Sequence, residues 1–223
     1  MFDPYFVKND LNIINGFKTL KLKNRGVDFP YSGVVSFCGC QGSGKSLSAF
    51  RLMAKLKEKY PFLTFVSNTD LSGFTEFTYF ESPETIANFP KDVKGIVLFL
   101  DEICNMPNLT SLDSKNMPRD WFALLNMQRK RELLIITTCP IFQRISKAFR
   151  EQIDTVVLCK CYGTLQINRY CKANFDDLQK AESSADIVNS LVVDRRHIFF
   201  HSVEDYARYD TRTLIYDGKE KKL

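Results

Sequence analysis

The chain has 223 residues, 44% of them hydrophobic and 26% charged, with a net charge of +5 at neutral pH. This length suits one α/β domain with its own core and is too short for two large domains. The longest strongly apolar run, residues 96–100, is far shorter than the roughly 20 residues that cross a membrane. The N-terminus also lacks the pattern of a signal peptide, so we expect a protein that is not secreted and has no transmembrane segment of its own. Without a secretory signal, the seven cysteines favour reduced thiols.

The first elements in chain order are a strand, a helix and a second strand. Residues 33–38 form a short apolar run of β-branched and aromatic character, which predicts a strand. Residues 45–60 carry apolar side chains at helical spacing and basic side chains on the opposite face, which predicts an amphipathic helix. Pro61 ends that helix, and residues 62–68 then read as the next strand.

The middle of the chain continues this alternation. The pattern predicts a short helix at 82–90, a strand at 95–102, a helix at 119–131, a strand at 133–139, an amphipathic helical segment at 141–152 and a fifth strand at 155–162. Two of these strands are apolar throughout, which is typical of parallel strands covered on both faces. We therefore predict an α/β fold with a mostly parallel sheet of about five strands and helices on both faces.

The pattern changes after Gly163. Residues 164–170 read as an antiparallel partner of the fifth strand, and residues 197–201 also favour a strand. We predict three parts: an N-terminal extension at 1–32, a core at 33–162 and a C-terminal extension at 163–223. The last part contains a small hairpin and would suit an oligomerisation edge or a pore element.

A phosphate-binding loop follows the first strand. Gly39, Gly44, Lys45 and Ser46 fit the pattern G-x-x-x-x-G-K-[ST] between an apolar strand and a helix. Glycines let several backbone N–H groups surround a triphosphate, and the following helix adds its N-terminal dipole. Lys45 would contact the β- and γ-phosphates, and the Ser46 hydroxyl would complete a magnesium shell. The predicted nucleotide-binding residues are Gly39, Cys40, Gln41, Gly42, Ser43, Gly44, Lys45, Ser46 and Leu47.

A second half of an ATPase site is predicted at the ends of two apolar strands. Asp101 and Glu102 emerge from a neighbouring buried strand, where paired carboxylates are costly unless they meet a cation. Asp101 would hold the magnesium with Ser46, and Glu102 would act as general base on the attacking water. Thr138, at the end of the strand at 133–139, would sense the γ-phosphate.

An arginine from a neighbouring subunit usually completes hydrolysis in motor-type ATPases. The candidates are Arg129 and Arg131 in "QRKRE" and Arg150 in "KAFREQ". The same arginines are candidates for contacts with DNA phosphates.

The order of these parts resembles the Zot-like family. The resemblance rests on the phosphate loop followed by "VSNTDL", "LFLDE", "MQRKRELLIITTCP" and "AFREQID". In that family an asparagine ends the second strand, as Asn68 does, and an arginine precedes an aspartate, as Arg150 precedes Asp154. The late "YDT" at 209–211 also resembles a family element. The family comprises filamentous-phage assembly ATPases related to zonula occludens toxin, within the FtsK/HerA-type DNA pumps and viral genome-packaging ATPases.

The resemblance implies a P-loop NTPase fold of the RecA/ASCE-like kind, with ATP and Mg²⁺ as cofactors. It also implies a DNA-translocating motor that works as a hexameric ring and contacts DNA through phosphates without reading sequence. Viral portal, capsid or membrane assembly proteins are expected partners, in the host cytoplasm or on the virion. Three alternatives stay open: a replication helicase or helicase loader, a small-molecule kinase, and a nucleotide-binding switch without turnover.

Overall fold

The elements of the fold alternate along most of the chain. The structure is a computed structural model that describes residues 31–71, 76–90, 92–106, 109, 118–172 and 192–207. Its strands are β1 (Gly33–Cys38), β2 (Thr64–Ser67), β3 (Thr78–Tyr79), β4 (Ile96–Leu100), β5 (Leu133–Cys139), β6 (Thr155–Tyr162), β7 (Leu165–Lys172) and β8 (Val192–Phe200). Its helices are α1 (Lys45–Lys59), α2 (Glu84–Ala87), α3 (Arg119–Arg131), α4 (Lys147–Arg150) and α5 (Val203–Ala207), with 3₁₀ turns at Ile103–Asn105 and Phe142–Arg144.

All the described strands belong to one sheet with the order β3-β2-β4-β5-β1-β6-β7-β8. The six strands β3, β2, β4, β5, β1 and β6, which are adjacent in that order, are mutually parallel. Strand β7 is antiparallel to both of its neighbours, β6 and β8. Strand β1 precedes the phosphate loop, and strand β4 precedes Asp101 and Glu102. Strand β5 is inserted between them, so β1 and β4 are not direct neighbours in the sheet. This insertion is the arrangement of RecA/ASCE-like P-loop NTPases, and the predicted fold class is confirmed.

The sheet has more strands than the approximately five that the sequence predicted. Strand β3 contains two residues, too few for any period-two pattern to reveal. The predicted C-terminal hairpin is present, but β7 and β8 are hydrogen-bonded into the main sheet through β6 and do not form a separate unit. The predicted elements within 1–30 and at 209–211 lie outside the described residues.

Helices cover the parallel part of the sheet on both faces. On one face Phe50, Met53 and Leu56 of α1 pack against alternate strand residues, and on the other face Trp121 and Leu124 of α3 do the same. Full burial of one such side chain contributes about 1.5–3 kcal/mol. Because both faces are buried, every position of β4 and β5 is buried, and all of them are apolar except Thr137 and Thr138 near the end of β5.

The helix predicted over 141–152 is interrupted. The chain forms the 3₁₀ turn Phe142–Arg144, becomes extended at Ile145 and Ser146, and then forms the single turn α4. The reason is tertiary: the backbone N–H of Ser146 donates to the carbonyl of Leu109 at 2.8 Å instead of bonding within a helix. This break buries Ile145 and Phe149 in the same core as α3.

Two general properties of the chain accompany this fold. All seven cysteines are free thiols, and five of them are buried. Among the described residues, no helix is both long enough and apolar enough to cross a membrane.

Candidate active site

The phosphate loop connects β1 to α1 at the carboxyl edge of the parallel strands. Helix α1 begins at Lys45, immediately after the loop. Cys40, Gln41 and Gly42 are exposed at its tip, whereas Leu47 is buried in the first turn of α1. The Nζ of Lys45 donates to the carbonyl of Cys40 at 3.0 Å, so this side chain folds back over the loop. A basic group and the N-terminus of a 15-residue helix thus face the same open space, which suits an anion.

Two loop glycines are required by close contacts with β6 and β7. Gly44 has φ +77°, and a Cβ there would lie 2.0 Å from Oε1 of Gln166 on β7. A Cβ at Gly39 would lie 2.7 Å from the carbonyl oxygen of Cys159 on β6. A larger residue would clash with the β6 backbone at Gly39 and would have to displace the Gln166 side chain at Gly44, so the motif glycines serve packing as well as backbone conformation.

The acidic end of β4 meets the first turn of α1. Asp101 is 4% exposed, and its Oδ1 accepts a hydrogen bond from Ser46 Oγ at 2.9 Å. The same oxygen accepts a short hydrogen bond from Thr138 Oγ1 at the end of β5. Two hydroxyls, from α1 and β5, therefore converge on one oxygen of the carboxylate that follows β4. Hydroxyl and carboxylate oxygens are the ligands that Mg²⁺ prefers, so this donor set fits that ion.

Asn68 fixes the backbone of Asp101. Its Oδ1 accepts the N–H of Asp101 at 2.8 Å, and its Nδ2 donates to the carbonyl of Asp101 at 3.0 Å. The amide pairs with both polar groups of one residue, as a neighbouring strand would. Asn68 directly follows β2, so it extends the β2–β4 pairing by one position and holds the carboxylate toward Ser46.

Thr138 also contacts the second acidic residue. Its Oγ1 accepts the backbone N–H of Glu102 at 2.8 Å while it donates to Asp101. The preceding Thr137 is fully buried and does not share these contacts. Of the two threonines that end β5, Thr138 is therefore the one at the site.

Glu102 has an uncommon backbone conformation for a residue with a side chain. Its φ is 49° and its ψ is 50°, in the left-handed region. Such a conformation costs of the order of 1–3 kcal/mol and tends to occur at functional sites. The exposed carboxylate accepts a hydrogen bond from Asn105 Nδ2 at 2.8 Å. The turn thus directs Glu102 away from β4 and Asp101 toward solvent at the carboxyl edge.

The three arginines predicted for hydrolysis, Arg129, Arg131 and Arg150, lie away from the phosphate loop of their own chain. Arg129 is exposed in the last turn of α3, where its charge acts on Asp154, and the carboxylate of Asp154 accepts the N–H of Val34 at the start of β1. Burial raises the pKa of Asp154, whereas the Val34 N–H and the charge of Arg129 lower it. The carbonyl of Arg150 accepts the N–H of Ile153, just before β6 begins. Arg150 therefore also lies near the edge of the sheet where the parallel strands begin.

Neither Arg129 nor Arg150 contacts the phosphate loop of its own chain within the described residues. Burial lowers the pKa of Arg150. Arg131, the third candidate, is buried and donates to the carbonyls of Phe89 and Pro90 beyond α2. It stabilises the packing of α2 on α3 and is not available to a neighbouring subunit, so that candidate was wrong.

Sequence reasoning missed three residues near the site. Gln166 touches the phosphate loop, and Asn105 holds Glu102. Arg144 is exposed just beyond β5, and its charge reaches Cys104, two residues after Glu102. A hydrogen bond with Cys139 is the main reason that the pKa of the Cys104 thiol is lowered, and Arg144 acts in the same direction. The position of Arg144 shortly after β5 was the available signal.

Comparison with known proteins shows the fold. No protein-family model matches the sequence, and no curated protein matches it. The N-terminal domain of zonular occludens toxin from Neisseria meningitidis is similar in structure, with a TM-score of 0.57 and 15% identity over 80% of this chain and 99% of that one. The genome packaging NTPase B204 from Sulfolobus turreted icosahedral virus 2, in complex with AMPPCP, has a TM-score of 0.48 and 14% identity over 76% of this chain and 92% of that one. The chain therefore has the fold of the toxin domain, in agreement with the Zot-like resemblance of the sequence.

Proposed function

We propose that this protein is an ATP-hydrolysing motor of the Zot-like family that translocates DNA during viral or mobile-element genome packaging or assembly. The observation that carries the proposal is the convergence of Ser46, Asp101 and Thr138, with Ser46 Oγ 2.9 Å from Asp101 Oδ1. A phosphate loop alone would support nucleotide binding. A carboxylate that is bonded both to the serine after the loop and to a hydroxyl near the end of β5 supports hydrolysis linked to a conformational response.

ATP binding is assigned to the loop from Gly39 to Leu47. The backbone N–H groups at the start of α1 and the helix dipole would bind the phosphates. Lys45 would exchange its bond to the Cys40 carbonyl for the β- and γ-phosphate oxygens. That exchange costs little, because the lysine is already held over the loop.

Mg²⁺ would be held by Ser46 and Asp101, whose oxygens already face each other. When bound, the ion would neutralise charge on the β- and γ-phosphates. Asn68 keeps Asp101 in place through two hydrogen bonds to its backbone, which would hold its carboxylate toward the ion.

Hydrolysis is assigned to Glu102. Its carboxylate would accept a proton from the water that attacks the γ-phosphate, giving ADP and inorganic phosphate. Asn105 would orient that carboxylate. Thr138 bonds both Asp101 and the N–H of Glu102. A change in the position of either residue on release of phosphate would therefore change the hydrogen bonds at the end of β5.

The arginine for this reaction is proposed to come from a neighbouring subunit. Arg129 and Arg150 do not reach the loop of their own chain, which suits a ring in which each site lies between subunits; we propose six. Arg144 is a further candidate, because it is exposed at the same edge as Glu102.

DNA contact is supported by one face of the antiparallel strands. Arg169 and Arg196 are directly opposite each other on β7 and β8, and Lys160 lies on the same face of β6. Like charges in opposite positions destabilise a sheet by up to about 1 kcal/mol. No Asp or Glu occupies a described position on this face of β6, β7 and β8, so no carboxylate on the face offsets these three positive charges. A phosphate backbone would do so without reading base sequence.

The test of the proposed function is ATP hydrolysis with and without DNA. We expect magnesium-dependent hydrolysis that DNA stimulates, together with displacement of a triplex-forming strand from a duplex in the presence of ATP. Separation of the duplex strands would instead indicate a helicase or helicase loader. Hydrolysis that DNA does not affect would contradict the motor, and phosphate transfer retained in Glu102→Gln would indicate a kinase. Nucleotide binding without turnover would indicate a switch.

A further inference from the structure

Gln166 is a buried side chain of β7 that reaches the phosphate loop. It is 0% exposed, and its Nε2 donates to the carbonyl of Ser43 at 3.0 Å and to Oδ1 of Asn168 at 2.7 Å. The Asn168 oxygen also accepts from Ser48 Oγ in α1 at 3.3 Å. The side chain therefore connects the loop and the helix that follows it to the antiparallel part of the sheet.

The contact with Ser43 fixes the orientation of one loop amide. The carbonyl of Ser43 and the N–H of Gly44 belong to the same planar trans peptide, so they point in opposite directions. A donor on the sheet side of the loop holds the carbonyl toward β7 and turns the Gly44 N–H outward, to the side where phosphates would lie. Gly44 is also the residue whose missing Cβ makes room for Gln166.

The side-chain oxygen of Gln166 is connected to α5 through His201. Both N–H groups of its amide are used, so its Oε1 can only accept, and it accepts from His201 Nε2 at 3.1 Å. His201 must therefore carry its proton on Nε2, and its Nδ1 must accept from the Tyr206 hydroxyl at 2.7 Å. For a neutral His201, this assignment gives each hydrogen bond from Ser43 to Tyr206 one direction.

Helix α5 is also joined to α1. Both oxygens of Asp205 accept from Arg51 Nη1, at 2.9 and 3.2 Å, and the Arg51 guanidinium lies 4.4 Å from the centre of the Phe199 ring. Asp205 is 4% exposed, so this ion pair is shielded from solvent. A movement at the start of α1 therefore has two connections to α5, one through Gln166 and one through Arg51.

We propose that Gln166 is a positioning residue of the phosphate loop. It orients the Gly44 N–H for a phosphate, and through His201 it transmits occupancy of the loop to Tyr206 on α5. The inference rests on the proposed function, in which the loop binds ATP.

The test follows the imidazole of His201 by NMR at a fixed pH of about 8, where a histidine of ordinary or lowered pKa is neutral. The chain has two histidines, and His197→Gln assigns their signals. Saturation of the wild type with ATPγS and Mg²⁺ should shift the His201 signal. Gln166→Met cannot donate to Ser43, and the isosteric Gln166→Glu cannot do so as a carboxylate, so we expect ATPγS to bind about 10-fold to 100-fold more weakly. At saturation their His201 signal should not move.

Two variants are used because Gln166→Met could fail to fold, whereas Gln166→Glu keeps the size of the side chain. Gln128→Met on α3 is the matched control and should bind and respond as the wild type does. Wild-type affinity in both Gln166 variants, or a His201 shift retained at saturation, would overturn the inference and leave the proposed function standing. A wild type that does not bind ATPγS would overturn both.

Discussion

Asp101 Oδ1 lies 2.9 Å from Ser46 Oγ, although the two residues are 55 positions apart in the chain. The contact forms because β1 and β4 are parallel strands of one sheet, so their carboxyl ends reach the same edge. The intervening strand β5 brings Thr138 between them. Five expectations follow from this arrangement and its surroundings.

Lys45→Ala should abolish nucleotide affinity and leave the fold intact. At a ligand concentration 100 times Kd, binding stabilises a protein by about 2.7 kcal/mol, which raises Tm by about 5–10 °C for a chain of this size. A thermal-shift assay with ATP and Mg²⁺ should show this rise for the wild type and for Lys59→Ala, which changes an exposed lysine at the other end of α1. Equal stabilisation of Lys45→Ala and the wild type would refute the assignment of the loop.

Glu102→Gly should stabilise the protein and nearly abolish hydrolysis. Glycine relieves the left-handed strain but loses more conformational freedom, so we expect a net gain of about 0.5–1 kcal/mol in the free energy of unfolding. Loss of the general base should lower the rate about 10²–10⁴-fold, and Glu102→Gln should lower it equally without the gain in stability.

The matched control for Glu102→Gly is Glu132→Gly. Glu132 also has a positive φ, of 51°, but it lies at the starting edge of the sheet, away from the loop. Urea unfolding and single-turnover hydrolysis measure the two effects. Glu102→Gly with wild-type turnover would contradict the role of Glu102, as would a comparable loss in Glu132→Gly.

One arginine should act on the site of a neighbouring subunit. Arg129→Ala, Arg144→Ala and Arg150→Ala separate the candidates, and loss of the acting arginine should lower kcat about 10³–10⁵-fold. Mixing that inactive variant with Lys45→Ala should restore hydrolysis, because the second protein supplies the arginine to an intact loop. The wild-type rate should also rise with protein concentration. A concentration-independent rate from a proven monomer would exclude an arginine in trans.

Arg169→Gln combined with Arg196→Gln should weaken DNA binding. Each arginine that neutralises a phosphate contributes about −0.9 to the slope of log affinity against log salt, so the slope should become less negative by about 2. ATP affinity should not change. The control is Arg195→Gln. Arg195 lies next to Asp194 on β8, and its side chain is on the face of the sheet opposite to Arg169 and Arg196. An unchanged salt slope in the double variant would place the DNA elsewhere.

His197 should make the protein less stable in acid. Burial lowers its pKa to about 3, and the charges of Lys55 and Arg51 act in the same direction. The unfolded chain binds this proton below pH 6.5 and the folded chain does not, so the stabilisation is complete above pH 6.5 and is lost progressively as pH falls toward 3. The loss between pH 6.5 and pH 5 is about 2 kcal/mol.

Urea unfolding at pH 7 and pH 5 checks this expectation. His197→Gln should show a smaller difference between the two conditions than the wild type, whereas His201→Gln should keep the contribution of His197. Equal pH dependence in His197→Gln and the wild type would show that His197 is already protonated in the fold at pH 5.

The elements and site residues that have local signals could be predicted from the sequence. The bounds of β1, β5, β6 and α3 agree with their apolar patterns, because turn residues or charged residues adjoin each of them. The loop glycines and Asp101 each follow a buried strand, Thr138 is the second-last residue of another, and parallel strands end at a common edge. Their proximity is therefore a consequence of the fold class.

The remaining features depend on contacts between distant parts of the chain. The break at Ser146 requires the carbonyl of Leu109, and the burial of Arg131 requires the carbonyls beyond α2. Gln166 meets Ser43 across 123 positions of sequence, inside a hairpin whose pattern is that of any antiparallel pair. None of these contacts leaves a periodic signal in the residues that make it.

The position of β1 in the centre of the sheet has a consequence for synthesis of the chain. Its partners β5 and β6 begin about one hundred residues or more later, because Gly33 pairs with Leu134 and Val35 with Thr155. At about 5–20 residues per second, a ribosome needs about 5–20 s to supply the first of them. During that time the mostly apolar strand β1 and the phosphate loop lack both strand partners, so this segment is a natural client of chaperones.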